Sequence, residues 1–139
     1  MDNDELLGAA LLGAAGGLRT FTPVAMLAAR GLMPVDANVR RAILAAATGE
    51  LIADKLPWAP DRTTAVSFLA RIGSGALCGW TVAARRGALT GVGAAALTTV
   101  IGFRVRRAAG KRTSKLSAAL LEDAVAVATA GFAARIAAN

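Results

Sequence analysis

The chain has 139 residues, of which 55% are hydrophobic and 35 are alanine, and its formal net charge is +7. It contains no histidine and a single cysteine, Cys78, which excludes histidine-based or paired-cysteine metal sites, histidine-dependent triads and disulfides within the chain. The mean hydropathy is +0.53, and the charges fall in short clusters between apolar runs. We therefore expect a membrane protein and no nucleic-acid partner.

Apolar runs bounded by charges, glycine or proline predict about five helices and no strand. They cover approximately residues 6–30, 39–56, 63–84, 88–107 and 116–137. The predicted fold class is all-α: a polytopic helical membrane protein with one domain over residues 1–139, multi-pass in the cell (inner) membrane. The start of the chain is acidic and lacks the positive region of a secretory signal, so we expect no cleaved signal peptide.

The first predicted helix contains helix-breaking residues near its middle, namely two glycines, a charge and a proline. These residues predict a break or kink between Gly16 and Pro23, with Thr22 as the N-cap and Pro23 in the first helical position. Irregular backbone at membrane depth is tolerated only where protein or a water-filled cavity satisfies it. The break is therefore expected to face the inside of the protein.

Six ionisable residues inside the predicted helices form the candidate polar site: Arg19, Glu50, Asp54, Arg71, Glu122 and Asp123. The second helix ends on the membrane face where the fifth begins, which would make the acids neighbours. One interpretation is that these charges neutralise one another and staple the helices together. The others are a cation or proton site on the carboxylates, or an anion site near Arg19 at the start of a half-helix.

Polar residues recur along the third predicted helix at alternating steps of three and four, which aligns them on one face. They are Thr64, Ser67, Arg71, Ser74, Cys78, Thr81 and Arg85. Of these, Thr64, Ser67, Ser74 and Cys78 are predicted to line a hydrophilic path. Alternatively, the hydroxyl groups bond back to their own helix or across to a neighbouring helix.

Glycines spaced four residues apart, as at 13 and 17, 75 and 79, and 87 and 91, predict closely packed helices. Lysine and arginine divide almost equally between the two membrane sides. This balance suggests a re-entrant segment, a fourth helix that carries its basic end along the interface, or insertion in both orientations. Trp58 is a candidate interfacial anchor. Gly17-Leu18-Arg19 recurs as Gly102-Phe103-Arg104, which suggests a weak inverted repeat of 6–56 and 88–137 around a central helix 63–84.

Residues 17–23 (GLRTFTP) and 50–57 (ELIADKLP), together with 121–124 (LEDA), resemble the signature of a family of small bacterial integral membrane proteins of unknown function. The resemblance covers most of the chain. It implies a membrane location and several helices, and it brings no functional residues with it.

From the sequence we expect a small channel or transporter for an ion or small solute. So short a chain encloses little by itself, so a homo-oligomer in the lipid bilayer is expected. The alternative is a non-transporting structural or regulatory membrane protein whose buried charges only staple the helices. We expect neither a cofactor nor an enzyme, because without histidine the chemistry would rest on carboxylates and serines alone.

Overall fold

The structure is a computed structural model that describes residues 3–56, 64–109 and 114–138. Within these ranges the regular secondary structure is all α-helix, which confirms the all-α part of the predicted fold class. The helices are α1 (Asn3–Leu18), α2 (Thr22–Ala29), α3 (Ala37–Ala53), α4 (Ala65–Ala109) and α5 (Lys115–Ile136). The predicted anchor Trp58 and the predicted helix start at residue 63 lie outside the described residues.

Helix α4 contains a sharp reversal, because Ala83 (φ −137°, ψ 35°) and Ala84 (φ 45°, ψ −136°) are not helical. Its two arms, residues 65–82 (α4a) and 85–109 (α4b), pack against each other as the α4 hairpin. A Cβ atom added to Gly79 would overlap the carbonyl of Gly87, so the two backbones are in contact. The predicted third and fourth helices are therefore present, but the turn lies just before Arg85 rather than at Arg85 and Arg86.

Helix α1 lies against both arms of the α4 hairpin. A Cβ atom added to Gly13 would lie 2.6 Å from the Cα atom of Gly91. A Cβ atom added to Gly17 would overlap the Thr98 side chain and the Ala95 carbonyl. The Thr98 hydroxyl also donates to the Ala14 carbonyl of α1 at 2.9 Å. The predicted close packing at glycines is confirmed, because these helices meet backbone to backbone.

The first predicted helix is broken between Leu18 and Thr22, as expected, but the break is a reversal rather than a kink. The start of α1 lies by the end of α5, since a Cβ on Gly8 would lie 3.8 Å from the Ala133 carbonyl. In α2, the Met26 side chain approaches Gly131, so α2 runs back toward the end where α1 began. We call this pair the α1–α2 hairpin and residues 19–21 its tip.

Many large apolar side chains are exposed on the surface of the described residues. Helix α3 packs mainly on α2, and Ala47 is its only buried residue. Among the described residues, α4 and α5 are long and apolar enough to cross a membrane.

Helix α4 stays helical through residues 102–104, so the second copy of the Gly-x-Arg sequence contains no break. The inverted repeat stays a prediction.

Candidate functional site

The tip of the α1–α2 hairpin carries Arg19, whose side chain is completely buried. Its guanidinium forms ion pairs with Asp54 at the end of α3 and with Asp123 on α5. Asp123 also contacts Lys55, whose Nζ atom lies 2.6 Å from the carboxylate. Three of the predicted site residues therefore meet at the tip, and Lys55 joins them.

Arg71 of α4a satisfies the end of α1. Its Nη1 atom donates hydrogen bonds to the carbonyls of Gly17 at 2.6 Å and Leu18 at 2.9 Å. The last carbonyls of a helix have no partner within the helix, and a cation is favoured there by the helix dipole. Thr99 of α4b donates a further bond to the Gly17 carbonyl at 3.1 Å.

Glu50 of α3 satisfies the start of α2. Its two carboxylate oxygens accept hydrogen bonds from the backbone N–H groups of Thr20 at 2.7 Å and Phe21 at 2.8 Å. An anion at a helix N-terminus is favoured for the same electrostatic reason. The hairpin thus has a cation at the carboxyl end of one helix and a carboxylate at the amino end of the next.

The predicted N-cap role of Thr22 is wrong. The N-cap position is Phe21, which makes no side-chain cap, and Thr22 is already inside the helix. Glu50 instead binds the N–H groups of Thr20 and Phe21, which come just before the helix. The Thr22 hydroxyl is buried and has no hydrogen-bond partner in the part of the chain that the structure describes.

The polar face of α4a is largely engaged in hydrogen bonds. Ser74 donates to the Thr20 carbonyl at 2.5 Å. Thr64 accepts a bond from the Ser67 N–H at the start of α4, and Thr81 bonds back to its own helix. These bonds match the alternative prediction for the hydroxyl groups. The path-lining role of Thr64, Ser67, Ser74 and Cys78 stays a prediction, and Cys78 itself is completely buried.

Glu122 lies beside the tip rather than in it. Its carboxylate forms an ion pair with Arg106 of α4b, at 2.8 Å. Adjacent residues on a helix point in different directions, so Asp123 faces Arg19 while Glu122 faces α4b. The sequence places the two acids together, but the packing of α5 gives them different partners.

Among the residues that the structure describes, the charges at the tip balance, with one cation for each acid. The cations are Arg19, Lys55 and Arg71, and the acids are Glu50, Asp54 and Asp123. Over residues 3–56, 64–109 and 114–138, no group of acidic or cysteine side chains could hold a metal ion. Each carboxylate at the tip is instead matched by a cation or by backbone N–H groups.

An open groove of about 910 Å³ leads to the tip. It lies between α2, the connection 32–35, α3 and α4a, and it extends from Thr20 and Phe21 to Trp80. Along α4a it spans residues 70 to 81, a rise of about 16 Å. Apart from Thr20, Ser74 and Thr81, its lining is apolar or glycine.

Sequence reasoning missed the groove and several partners of the tip. The groove is built from four separate segments, so no local pattern marks it. Thr98 and Thr99, two adjacent hydroxyl residues in an otherwise apolar run, are a signal that could have been noticed. Comparison with known protein families, with curated proteins and with solved structures finds no match for the chain.

Proposed function

We propose that the chain is a multi-pass integral membrane protein, a small channel or transporter that moves an ion or small solute across the membrane by way of the groove and the tip. One observation carries this proposal. The groove reaches Thr20 and Phe21, the residues whose N–H groups bind Glu50, so an open path meets the interrupted backbone. In secondary transporters, substrate and ion sites are typically formed at such discontinuous helices.

The proposed membrane arrangement has four crossings, by α3, α4a, α4b and α5, with the α1–α2 hairpin as a re-entrant element. Arm α4a is about 27 Å long, close to the roughly 30 Å thickness of the hydrocarbon core. Large apolar side chains such as Leu69, Leu97 and Phe132 are exposed, which suits contact with lipid. The inner membrane of a bacterial cell, as the family resemblance implies, is the proposed location.

This arrangement places both chain termini on the same side of the membrane. Reporters fused before Asn3 and after Ala138 should therefore give the same compartment signal in intact cells. A fusion between Lys55 and Thr64 should report the opposite compartment. Opposite signals from the two terminal fusions would indicate five crossings and contradict the re-entrant hairpin.

Transport is tested by reconstituting the purified protein into liposomes. Flux is measured for cations, anions, protons and small organic solutes in turn. Gly73 lines the groove, and a Cβ there would meet open space, so Gly73→Leu should block the groove without disturbing the backbone. Gly93 has equally open surroundings but lies outside the groove lining, so Gly93→Leu is the matched control. Absence of any flux from folded protein would refute transport.

A second candidate function is that of a structural membrane protein whose charges only hold the helices together. The equal number of cations and acids among the described residues of the tip favours it, because a balanced network has no need of a bound ion. This candidate predicts no flux in the liposome assay but a large loss of stability when Arg19 is removed.

We also propose that the protein is a homo-oligomer. The support is the outer surface of α3, where 16 of the helix's 17 residues are not buried within one chain. Mass measurement in neutral detergent tests this, with a single-chain mass as the contrary result.

A further inference from the structure

The N–H groups at the start of α2 already hold a carboxylate, supplied by Glu50 of a different helix. Glu50 is half-buried, and the structure describes its carboxylate contacts with the N–H groups of Thr20 and Phe21. Helix α3 packs mainly on α2 and has one buried residue, so few contacts fix its position. The site therefore binds a carboxylate on a helix that is held at its end by the ion pairs of Asp54 and Lys55 and elsewhere by limited packing.

The surrounding charges would accept a carboxylate from another source. Counted over the described residues and without Glu50, the cations Arg19, Lys55 and Arg71 exceed the acids Asp54 and Asp123 by one positive charge. The amino end of α2 adds a partial positive charge in the same place. One negative charge at this position restores neutrality, which is the role that Glu50 now has.

Two buried polar groups next to these N–H groups lack a hydrogen-bond partner among the described residues. They are the Thr22 hydroxyl, on a residue that is 5% exposed, and the Nε atom of Arg19, on a residue that is 0% exposed. Buried polar groups normally have a partner, so these two are donors with hydrogen-bonding capacity that the described residues leave unused. They flank Thr20 and Phe21 in the chain.

The groove that reaches this site suits a hydrocarbon chain. Its lining from Phe21 and Val24 through Val39 and Ile43 to Leu77 is apolar. Its volume, about 910 Å³, is within the usual range for small-molecule sites. A hydrated ion would gain nothing from such walls, whereas an alkyl chain would make van der Waals contacts with apolar side chains along its length.

We propose that the groove and the tip together bind an amphipathic monocarboxylate, with its hydrocarbon chain in the groove and its carboxylate in place of that of Glu50. The proposal rests on the proposed function in that it names the class of solute for the same site. The carboxylate accepts bonds from the Thr20 and Phe21 N–H groups, and the end of the chain lies near Trp80. Glu50 is then the tethered occupant that returns when the solute leaves.

Trp80 at the far end of the groove provides the measurement. The chain has two tryptophans, so Trp58→Phe leaves Trp80 as the only one. Dodecanoate with bromine on its last carbon should quench Trp80 fluorescence saturably in neutral detergent. Bromine beside the carboxylate should quench less, because that end lies by the tip. Plain dodecanoate should reverse the quenching, and dodecanol should compete at least tenfold more weakly.

Chain length and groove substitutions test the apolar part. Shortening the competitor should weaken binding step by step, because each methylene removed gives up its contacts with the groove lining. Gly73→Leu should abolish saturable quenching, whereas Gly93→Leu should leave it unchanged. Glu50→Ala should tighten dodecanoate binding about tenfold by removing the competing occupant. Glu122→Ala, which removes an acid paired outside the tip, should not change it.

The outcomes separate this proposal from the proposed function. Equal competition by dodecanol, or stronger quenching from bromine beside the carboxylate, would overturn the assignment of the carboxylate to the tip. Absence of saturable quenching in folded protein would overturn binding altogether, while flux of another solute would leave transport intact. Specific binding without flux would refute transport and leave the site as a carboxylate receptor. If Glu50→Ala does not fold, Gly73→Leu and Gly93→Leu still test binding in the groove, in a protein whose tip is unaltered.

Discussion

The chain forms two helical hairpins that are held together by different means. In the α4 hairpin the arms meet through the backbones of Gly79 and Gly87, and no charged side chain takes part in that contact. In the α1–α2 hairpin the backbone is interrupted at the tip, and side chains from three other helices complete it. A backbone-to-backbone contact offers no group that a ligand could replace, whereas each side-chain partner at the tip could be replaced by a ligand.

The largest expected loss of stability is for a substitution at the tip. Arg19→Met keeps the approximate bulk of the side chain but removes the cation that Asp54 and Asp123 share. Breaking a buried ion pair in this way costs about 3–5 kcal/mol. Stability can be followed by the reaction of Cys78 with a fluorogenic maleimide during heating, because this single cysteine is completely buried until the protein opens.

Two variants control for this result. Arg104 is exposed, so Arg104→Met should change the free energy of unfolding by less than about 0.5 kcal/mol. Combining Arg19→Met with Asp54→Asn should recover most of the loss, since one cation and one acid are then removed together and Asp123 keeps its ion pair with Lys55. If Arg19→Met were as harmless as Arg104→Met, the charges would not hold the tip.

The next effect tests the α4 hairpin. Gly79→Ala places a methyl group against the Gly87 backbone, which forces the two arms apart and should cost about 1–3 kcal/mol. Gly73→Ala is the matched control on the same arm, where the added Cβ meets open space. It should be neutral or slightly stabilising, because alanine favours helix more than glycine. Similar melting temperatures for both variants would mean that the arms are not in backbone contact.

Much of the fold was predictable because its signals are local. Apolar runs gave the helices, and Gly16 to Pro23 gave the break. Spacing of the glycines predicted close packing. The direction of the chain after the break was not predictable, since it depends on α5 lying beside both α1 and α2. A kink and a reversal leave the same pattern in the sequence.

The candidate site was predicted less completely than the fold. The sequence predicts Arg19, Asp54 and Asp123 as site residues because charged side chains are unusual in apolar helices. Their pairing depends on which helix faces which, and so does the separation of Glu122 from Asp123. Thr22 was assigned a cap because a helix start usually supplies its own acceptor. Here the helix has no side-chain cap, and a carboxylate from a distant helix binds the N–H groups just before it, a contact that local sequence cannot indicate.

A smaller effect concerns the hydroxyl groups that support the tip. Ser74→Ala removes the bond to the Thr20 carbonyl and should cost about 1 kcal/mol. Ser67→Ala removes a hydroxyl from the same polar face of α4a, where no bond to the tip is lost, and should cost less than about 0.5 kcal/mol. If the two variants lost the same free energy of unfolding, the hydrogen bond from Ser74 to the tip would contribute nothing to stability.

The smallest effect should raise stability, at the turn of the α4 hairpin. Ala84 has a φ of 45°, in the left-handed region that disfavours residues with a Cβ atom. Ala84→Gly removes that strain, partly offset by the greater freedom of glycine in the unfolded chain, and should stabilise by about 0.5–1 kcal/mol. Ala88→Gly, on the helical arm that follows, should instead destabilise by about 1 kcal/mol. Because the gain at Ala84 acts only on the turn, it should leave binding in the groove unchanged. A change in binding would show that the two hairpins are coupled.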